Sequence, residues 1–157
     1  WEHYAPRLTE FVAAMSPEQL ALRPSPDGWP VWATVAHTAG GRVYWLCDVL
    51  DEPGKEQTPF GDLGDEGWED DLSHPRSAAE LVDALDSSWR VIDGCLDRWS
   101  PEDLASTIER RYLDTIQVHT RGSVLQRLFS HDAYHCGELS QTLGMHQLPQ
   151  IDLWRPE

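Results

Sequence analysis

The sequence predicts an all-α protein, an up-down-down-up-type four-helix bundle with one long crossover loop. Apolar residues recur at steps of three and four through four long segments, which is the spacing of amphipathic helices. Residues 51–76, rich in proline, glycine and carboxylates, separate the second segment from the third. The chain has 157 residues, enough to bury one core, and it shows no internal repeat. We therefore assign residues 1–157 to a single domain.

The first helix is expected over residues 2–15. Its apolar positions are Tyr4, Leu8, Phe11, Val12 and Met15. Residues 16–19 read Ser-Pro-Glu-Gln, a helix-start pattern with a capping serine and a proline in the first turn. Because Pro24, Pro26 and Gly28 follow closely, this pattern opens only a short turn.

The second helix should run from about Pro30 to about Leu50 and lead into the crossover loop. Its apolar positions are Val31, Val35, Ala39, Val43, Leu46 and Leu50. The loop is strongly acidic but carries apolar residues that should anchor it to the helices, namely Phe60, Leu63 and Trp68. We therefore expect an ordered loop.

The third helix has the most regular pattern of the four. Its seam after Ser77 consists of Ala78, Leu81, Leu85, Trp89, Ile92, Leu96 and Trp99. Residues 100–103 cap another short turn, and β-branched residues within 105–122 could be extended. A last long helix should begin at residues 122–123 and end at Gly144. The tail from Leu148 to Trp154 is expected to pack back over the bundle.

Charge and cysteine content narrow the function classes. The chain has 12 Lys and Arg residues and 27 Asp and Glu residues, which gives a net charge of −15. This negative charge argues against nucleic acid or an anionic membrane as the main partner. The three cysteines are odd in number and form no CxxC pair, which favours a reduced, cytoplasmic setting. No run of 18 apolar residues occurs, so we expect no membrane-spanning helix.

The chemistry is concentrated in the last helix. His131 and His135 lie four residues apart, about 40° around the helix axis, and so share one face. That face continues one stripe with Val124, Leu128 and either Leu139 or Thr142. Two imidazoles at this spacing can bind one metal ion, with nitrogens at about 2.0–2.1 Å. The alternative is a pair of core histidines that hydrogen-bond to protein groups.

A third ligand must come from elsewhere, and His37 is the best candidate. It lies in the second helix among small residues that let a facing helix approach. The remaining histidines are more typical of solvated positions, although His119 could belong to a pocket; they are His3, His74, His119 and His146. Three imidazole ligands leave coordination positions open, the pattern of a catalytic site. Zinc is the default ion, and nickel or another divalent first-row ion is the alternative.

Residues next to these histidines have competing interpretations. Asp132 and Glu138 could accept the second ring N–H of a ligand histidine, but Asp132 could equally lie at the surface. Tyr134 is expected in the core rather than in a pocket. Cys136 should be an inert thiol, since it lies off the histidine face. Two further core residues are expected at the head of the second helix, Trp29 and Trp32.

Two stretches of the chain carry distinctive motifs. Residues 28–37 read Gly-Trp-Pro-Val-Trp-Ala-Thr-Val-Ala-His, and residues 131–138 read His-Asp-Ala-Tyr-His-Cys-Gly-Glu. They resemble the "GW…HL" entry to the second helix and the HxxxHxG(E/Q) helix of the DinB-like, YfiT-like superfamily of damage-inducible-type proteins. Their order along the chain also matches. The resemblance covers essentially the whole chain, so it implies a single DinB-like domain.

The resemblance implies a four-helix bundle that holds a divalent metal ion through His37, His131 and His135. Similar proteins include S-transferases that use bacillithiol or mycothiol, and a mycothiol-dependent maleylpyruvate isomerase. The isomerase type has a Glu ligand, so the all-His set here makes that activity less favoured. Dimers are common in the superfamily, and we expect a homodimer.

Three function classes follow for the predicted centre. The leading one is a metal-dependent thiol S-transferase whose partners are a small-molecule thiol and an electrophilic substrate. The runner-up is a metal-dependent hydrolase with hydroxide at the open position. The third is a non-catalytic metal-binding or stress-response protein whose metal site is structural or vestigial. In each case we expect the loop 51–76 to border the mouth of the metal pocket without supplying a ligand.

Overall fold

The two longest helices begin at residues whose side chains cap them. Ser77 Oγ accepts the backbone N–H of Glu80, whose carboxylate in turn accepts the N–H of Ser77. Thr120 and Ser123 make the same reciprocal pair at the start of the last helix. These side chains satisfy N–H groups that the first helical turn leaves without partners.

The structure is a computed structural model that describes residues 1, 3–63 and 66–152. This part of the chain is mostly helical and carries one small antiparallel sheet. The helices are α1 (Ala5–Ala13), α2 (Pro17–Leu20), α3 (Val31–Val43), α4 (Ala78–Arg98), α5 (Pro101–Ala105) and α6 (Arg121–Met145). The strands are β1 (Thr107–Tyr112) and β2 (Thr115–Thr120), and short 3₁₀ turns span Lys55–Gln57 and Trp68–Asp70.

The second predicted helix is not α-helical over its whole length. The α-helix ends at Val43, and the chain continues as a π-helical turn over Tyr44–Val49. Such wide turns are rare and are often found at functional sites. This turn carries two successive aromatic residues, Tyr44 and Trp45, and both line a cavity of about 480 Å³.

The hairpin corrects the all-α prediction, although the extended stretch suggested within 105–122 is confirmed. Strands β1 and β2 pair antiparallel, with Arg110 opposite Gln117 and Ile108 opposite His119. Since side chains alternate along a strand, these residues share the face turned toward the helices, whereas Arg111 lies on the other face.

The core lies around α3, which packs against both α4 and α6, while α1 packs on α4. Nearly every side chain of α3 is buried, as its small and β-branched residues suggest. The predicted seam of α4 holds at Leu81, Leu85 and Ile92, but Leu96 is 43% exposed, so its assignment to the seam is wrong. The up-down-down-up order of the four-helix bundle stays a prediction.

The crossover loop and the tail pack largely as expected. Phe60 and Trp68 are buried with ring centroids 5.2 Å apart, and Leu63 packs against the core. In the tail, Leu148 and Ile151 contact the core, while the expected contacts of 153–154 lie outside the described residues. No helix in the described part is long and apolar enough to cross a membrane.

Candidate metal centre

Three histidine rings converge where α3 faces α6. The Nε2 atom of His131 lies 3.0 Å from Nε2 of His37 and 3.1 Å from Nε2 of His135. One ring nitrogen from each residue can be chosen so that all three lie within 4.8 Å of one another. The structure thus brings together the three residues that the sequence singled out, and their role as metal ligands stays a prediction.

Two carboxylates fix the tautomers of two of these three rings. Nδ1 of His37 lies 2.6 Å from Oε1 of Glu69, and Nδ1 of His135 lies 2.7 Å from Oε2 of Glu138. A carboxylate can only accept here, so each Nδ1 carries the hydrogen and each Nε2 keeps its lone pair. Carboxylates that orient metal-bound histidines make this same contact.

The three ring nitrogens suit a divalent cation. Without one, their lone pairs cannot all find a hydrogen-bond donor. The Nε2 lone pairs of His37 and His135 both face Nε2 of His131, which can donate at most one hydrogen. Nδ1 of His131 is buried with no hydrogen-bond partner among the described residues. A cation bound by all three Nε2 atoms would engage every lone pair at the point of convergence.

Burial keeps the two α6 rings in the neutral form that can bind a metal. Burial, the neighbouring imidazoles and the cation of Arg42 lower the pKa of His131 to about 4. Burial also lowers the pKa of His135, against the opposing effect of the Glu138 carboxylate. Near pH 7 the lone pair of His131 is therefore free of a proton.

Small residues make room for the rings. A Cβ atom on Gly41 would lie 3.2 Å from Cε1 of His131, whereas one on Gly40 would lie 3.4 Å from the Phe60 ring. On the other side of the site, the Trp29 ring lies 5.0 Å from the His37 ring. Trp29 is 39% exposed, so its assignment to the core is wrong, and it flanks the candidate ligand instead.

The structure corrects the assignment of Tyr134 and decides the position of Asp132, which the sequence left open. Tyr134 is 63% exposed and lies outside the core. Asp132 is buried, where it forms an ion pair with Arg42 at 2.9 Å and accepts a hydrogen bond from Nε1 of Trp1. The sequence could not decide between a buried and a surface position for Asp132, because its partner Arg42 lies 90 positions away on α3.

The remaining histidines and Cys136 behave largely as expected. The exposed histidines are His3, His74 and His146. His119 packs its ring on Trp45 at 5.2 Å, so it contacts a residue of the cavity wall. Cys136 is buried, and burial together with the negative charge of Asp132 raises the pKa of its thiol to about 11.

Glu69, which contacts the candidate ligand His37, is a residue that the sequence did not single out. It lies in the acidic run of the crossover loop, where no local pattern distinguishes it from Glu66 or Asp70. Trp68, the residue before it, is buried and fixes this part of the loop beside α3. Glu69 is 32 residues from His37, so only the folded chain reveals the contact.

A cavity of about 480 Å³ opens beside the histidines. Its wall includes His37 and His131, and the crossover loop contributes Phe60, Leu63 and Glu69. The prediction that the loop borders the mouth of this pocket is confirmed. The hairpin, the π-helical turn and α6 complete the wall, so the candidate metal position faces a space large enough for a small organic molecule.

Comparisons with known proteins bear on the family and the fold. The DinB superfamily profile matches residues 2–139. The fold is similar to the crystal structure of a DinB-like protein from Bacillus cereus ATCC 10987, with a TM-score of 0.71 at 14% identity over 97% of this chain and 91% of that one. No curated protein sequence matches. Because the profile spans most of its length, the chain belongs to the DinB superfamily.

Proposed function

We propose that this protein is a divalent-metal-dependent enzyme that transfers a low-molecular-weight thiol to an electrophile. The observation that carries the proposal is the convergence of three Nε2 atoms beside an open cavity. No fourth His, Cys, Asp or Glu joins this cluster among the described residues. Three protein ligands and an adjoining space are the arrangement of a catalytic metal site rather than a structural one.

Each residue has a definable role in this proposal. His37, His131 and His135 hold the ion through Nε2, while Glu69 and Glu138 hold the hydrogens on Nδ1 of their partners. Zinc is the default for imidazole ligands, with nickel or another first-row ion as the alternative. A bound divalent ion would lower the pKa of a coordinated thiol and so raise the fraction of thiolate at neutral pH.

The protein's own thiols are poor candidates for the nucleophile. All three cysteines are free and buried. Burial raises the pKa of Cys47 to about 11 and that of Cys95 to about 12. An external thiol that enters the cavity supplies the missing nucleophile. The four-helix-bundle topology, a homodimer and a cytoplasmic location belong to the same proposal.

A thiol panel tests the proposal. Zinc-loaded protein is mixed with each thiol and a chlorodinitrobenzene, and formation of the thioether is followed by its absorbance. We expect turnover that is lost on chelation and in His135→Ala, but kept in His146→Ala, which removes an exposed histidine. Absence of turnover with every thiol, or turnover that survives chelation, would contradict the proposal. Metal-dependent ester hydrolysis without thiol turnover would favour the hydrolase alternative.

A further inference from the structure

Two arginine side chains enter the cavity wall without a carboxylate partner. Arg110 donates to the Tyr44 hydroxyl and to Oε1 of Gln117, and it lies over the Trp45 ring at 5.0 Å. Arg127 lies over the same ring at 4.6 Å. Among the described residues neither guanidinium forms an ion pair with Asp or Glu. Two arginines without a carboxylate partner on one indole ring are unusual in a chain whose net charge is −15.

The fold positions these two cations from separate elements. Arg110 lies on the face of the hairpin turned toward the helices, and Arg127 lies on α6 one turn before His131. Trp45, which they share, comes from the π-helical turn. Burial, Arg127 and Arg110, in that order, lower the pKa of His119, which packs on the same ring.

Most carboxylates around the cavity are already engaged. Glu69 contacts His37, Asp48 pairs with Lys55 at 2.7 Å, and Asp70 accepts the backbone N–H of Gly67. Glu69 and Asp70 come from the crossover loop and Asp48 from the π-helical turn, whereas the two arginines come from the hairpin and α6. The loop therefore gives the cavity an acidic side, whereas the hairpin and α6 give it two cations that pair with none of these carboxylates.

We propose that Arg110 and Arg127 form a subsite for a carboxylate of the substrate, so that the thiol used by this protein is a carboxylate-bearing one. The inference rests on the proposed thiol transfer and names its substrate class. Guanidinium groups match carboxylate oxygens in geometry and form charge-assisted hydrogen bonds. A phosphate carries nearly two charges at pH 7 and would be repelled more strongly by the acidic side.

Calorimetry with matched thiols tests this subsite. Mercaptopropionate and mercaptopropanol differ only in the carboxylate, so the ratio of their Kd values isolates its contribution. On zinc-loaded wild type we expect mercaptopropionate to bind about tenfold more tightly. The preference should fall to about twofold or less in Arg110→Gln and Arg127→Gln. Arg111→Gln, on the opposite face of the hairpin, should retain it.

The outcomes separate the two proposals. An unchanged preference in Arg127→Gln would overturn the subsite, and tighter binding of inorganic phosphate than of propionate would overturn its carboxylate identity. Arg127 is exposed and makes no hydrogen bond among the described residues, so it decides the test if Arg110→Gln fails to fold. If neither thiol binds, thiol transfer fails. Propionate then tests the subsite alone: weaker binding to Arg127→Gln than to wild type supports it, and equal binding overturns it.

Discussion

Replacing Glu69 by Gln tests whether the crossover loop supports the metal centre. The variant keeps the side-chain shape but removes the charge that accepts the Nδ1 hydrogen of His37 at 2.6 Å. The Glu69 side chain is only 11% exposed, so solvent screens this contact little. Removing a partner of a metal-bound histidine typically weakens metal binding by about 10–100-fold. Because the Gln oxygen can still accept, we expect about tenfold weaker binding, or ~1.4 kcal/mol.

Competition between the protein and a chromogenic zinc chelator measures this change at constant pH. Glu66→Gln is the matched control, since it removes the same charge from an exposed position on the same cavity wall. We expect its zinc affinity to stay within about twofold of wild type. Equal losses in the two variants would refute the argument, because the effect would then be general electrostatics rather than the bond to His37.

Three further predictions concern stability, packing and reactivity. Asp132→Ala leaves the Arg42 cation buried without its carboxylate partner, so urea unfolding should show that the free energy of unfolding falls by about 3–5 kcal/mol. A fall within about 1 kcal/mol, the contribution of a surface ion pair, would contradict this prediction. Gly41→Ala should weaken zinc binding, because its Cβ displaces the His131 ring, whereas Gly40→Ala should change it little; equal affinities would refute this. All three thiols have a raised pKa, so iodoacetamide at pH 8 should modify them slowly until denaturant is added, and rapid labelling of folded protein would contradict their burial.

The helical part of the fold was predictable because its signals are local. Apolar spacing and capping residues located α4 and α6 to within about two residues, the usual uncertainty of helix ends. The hairpin was less visible because its turn lacks the usual Asn-Gly or Asp-Gly pair. Leu113 takes the positive φ of 52° that such turns require. The change from α-helix to π-helix after Val43 could not be predicted, because it does not alter the apolar spacing of the residues.

The candidate ligands were predictable for a similar reason, and the groups around them were not. The four-residue spacing of His131 and His135 fixes their common face by helix geometry alone. Glu69, by contrast, reaches the site through the path of the crossover loop, and Arg110 through the register of the hairpin. Both contacts join residues that are distant in sequence, so only tertiary structure assigns them.

Metal content per chain is the measurement that tests the central claim most directly. Wild type and His135→Ala are incubated with zinc, passed through gel filtration and analysed for metal and protein together. We expect about one zinc ion per wild-type chain and none in the variant, because two imidazoles retain the ion poorly. The variant should stay folded by circular dichroism, since Leu81, Leu85 and Ile92 are buried independently of the ion. Equal zinc content in the two proteins, or none in wild type, would contradict a three-histidine metal centre.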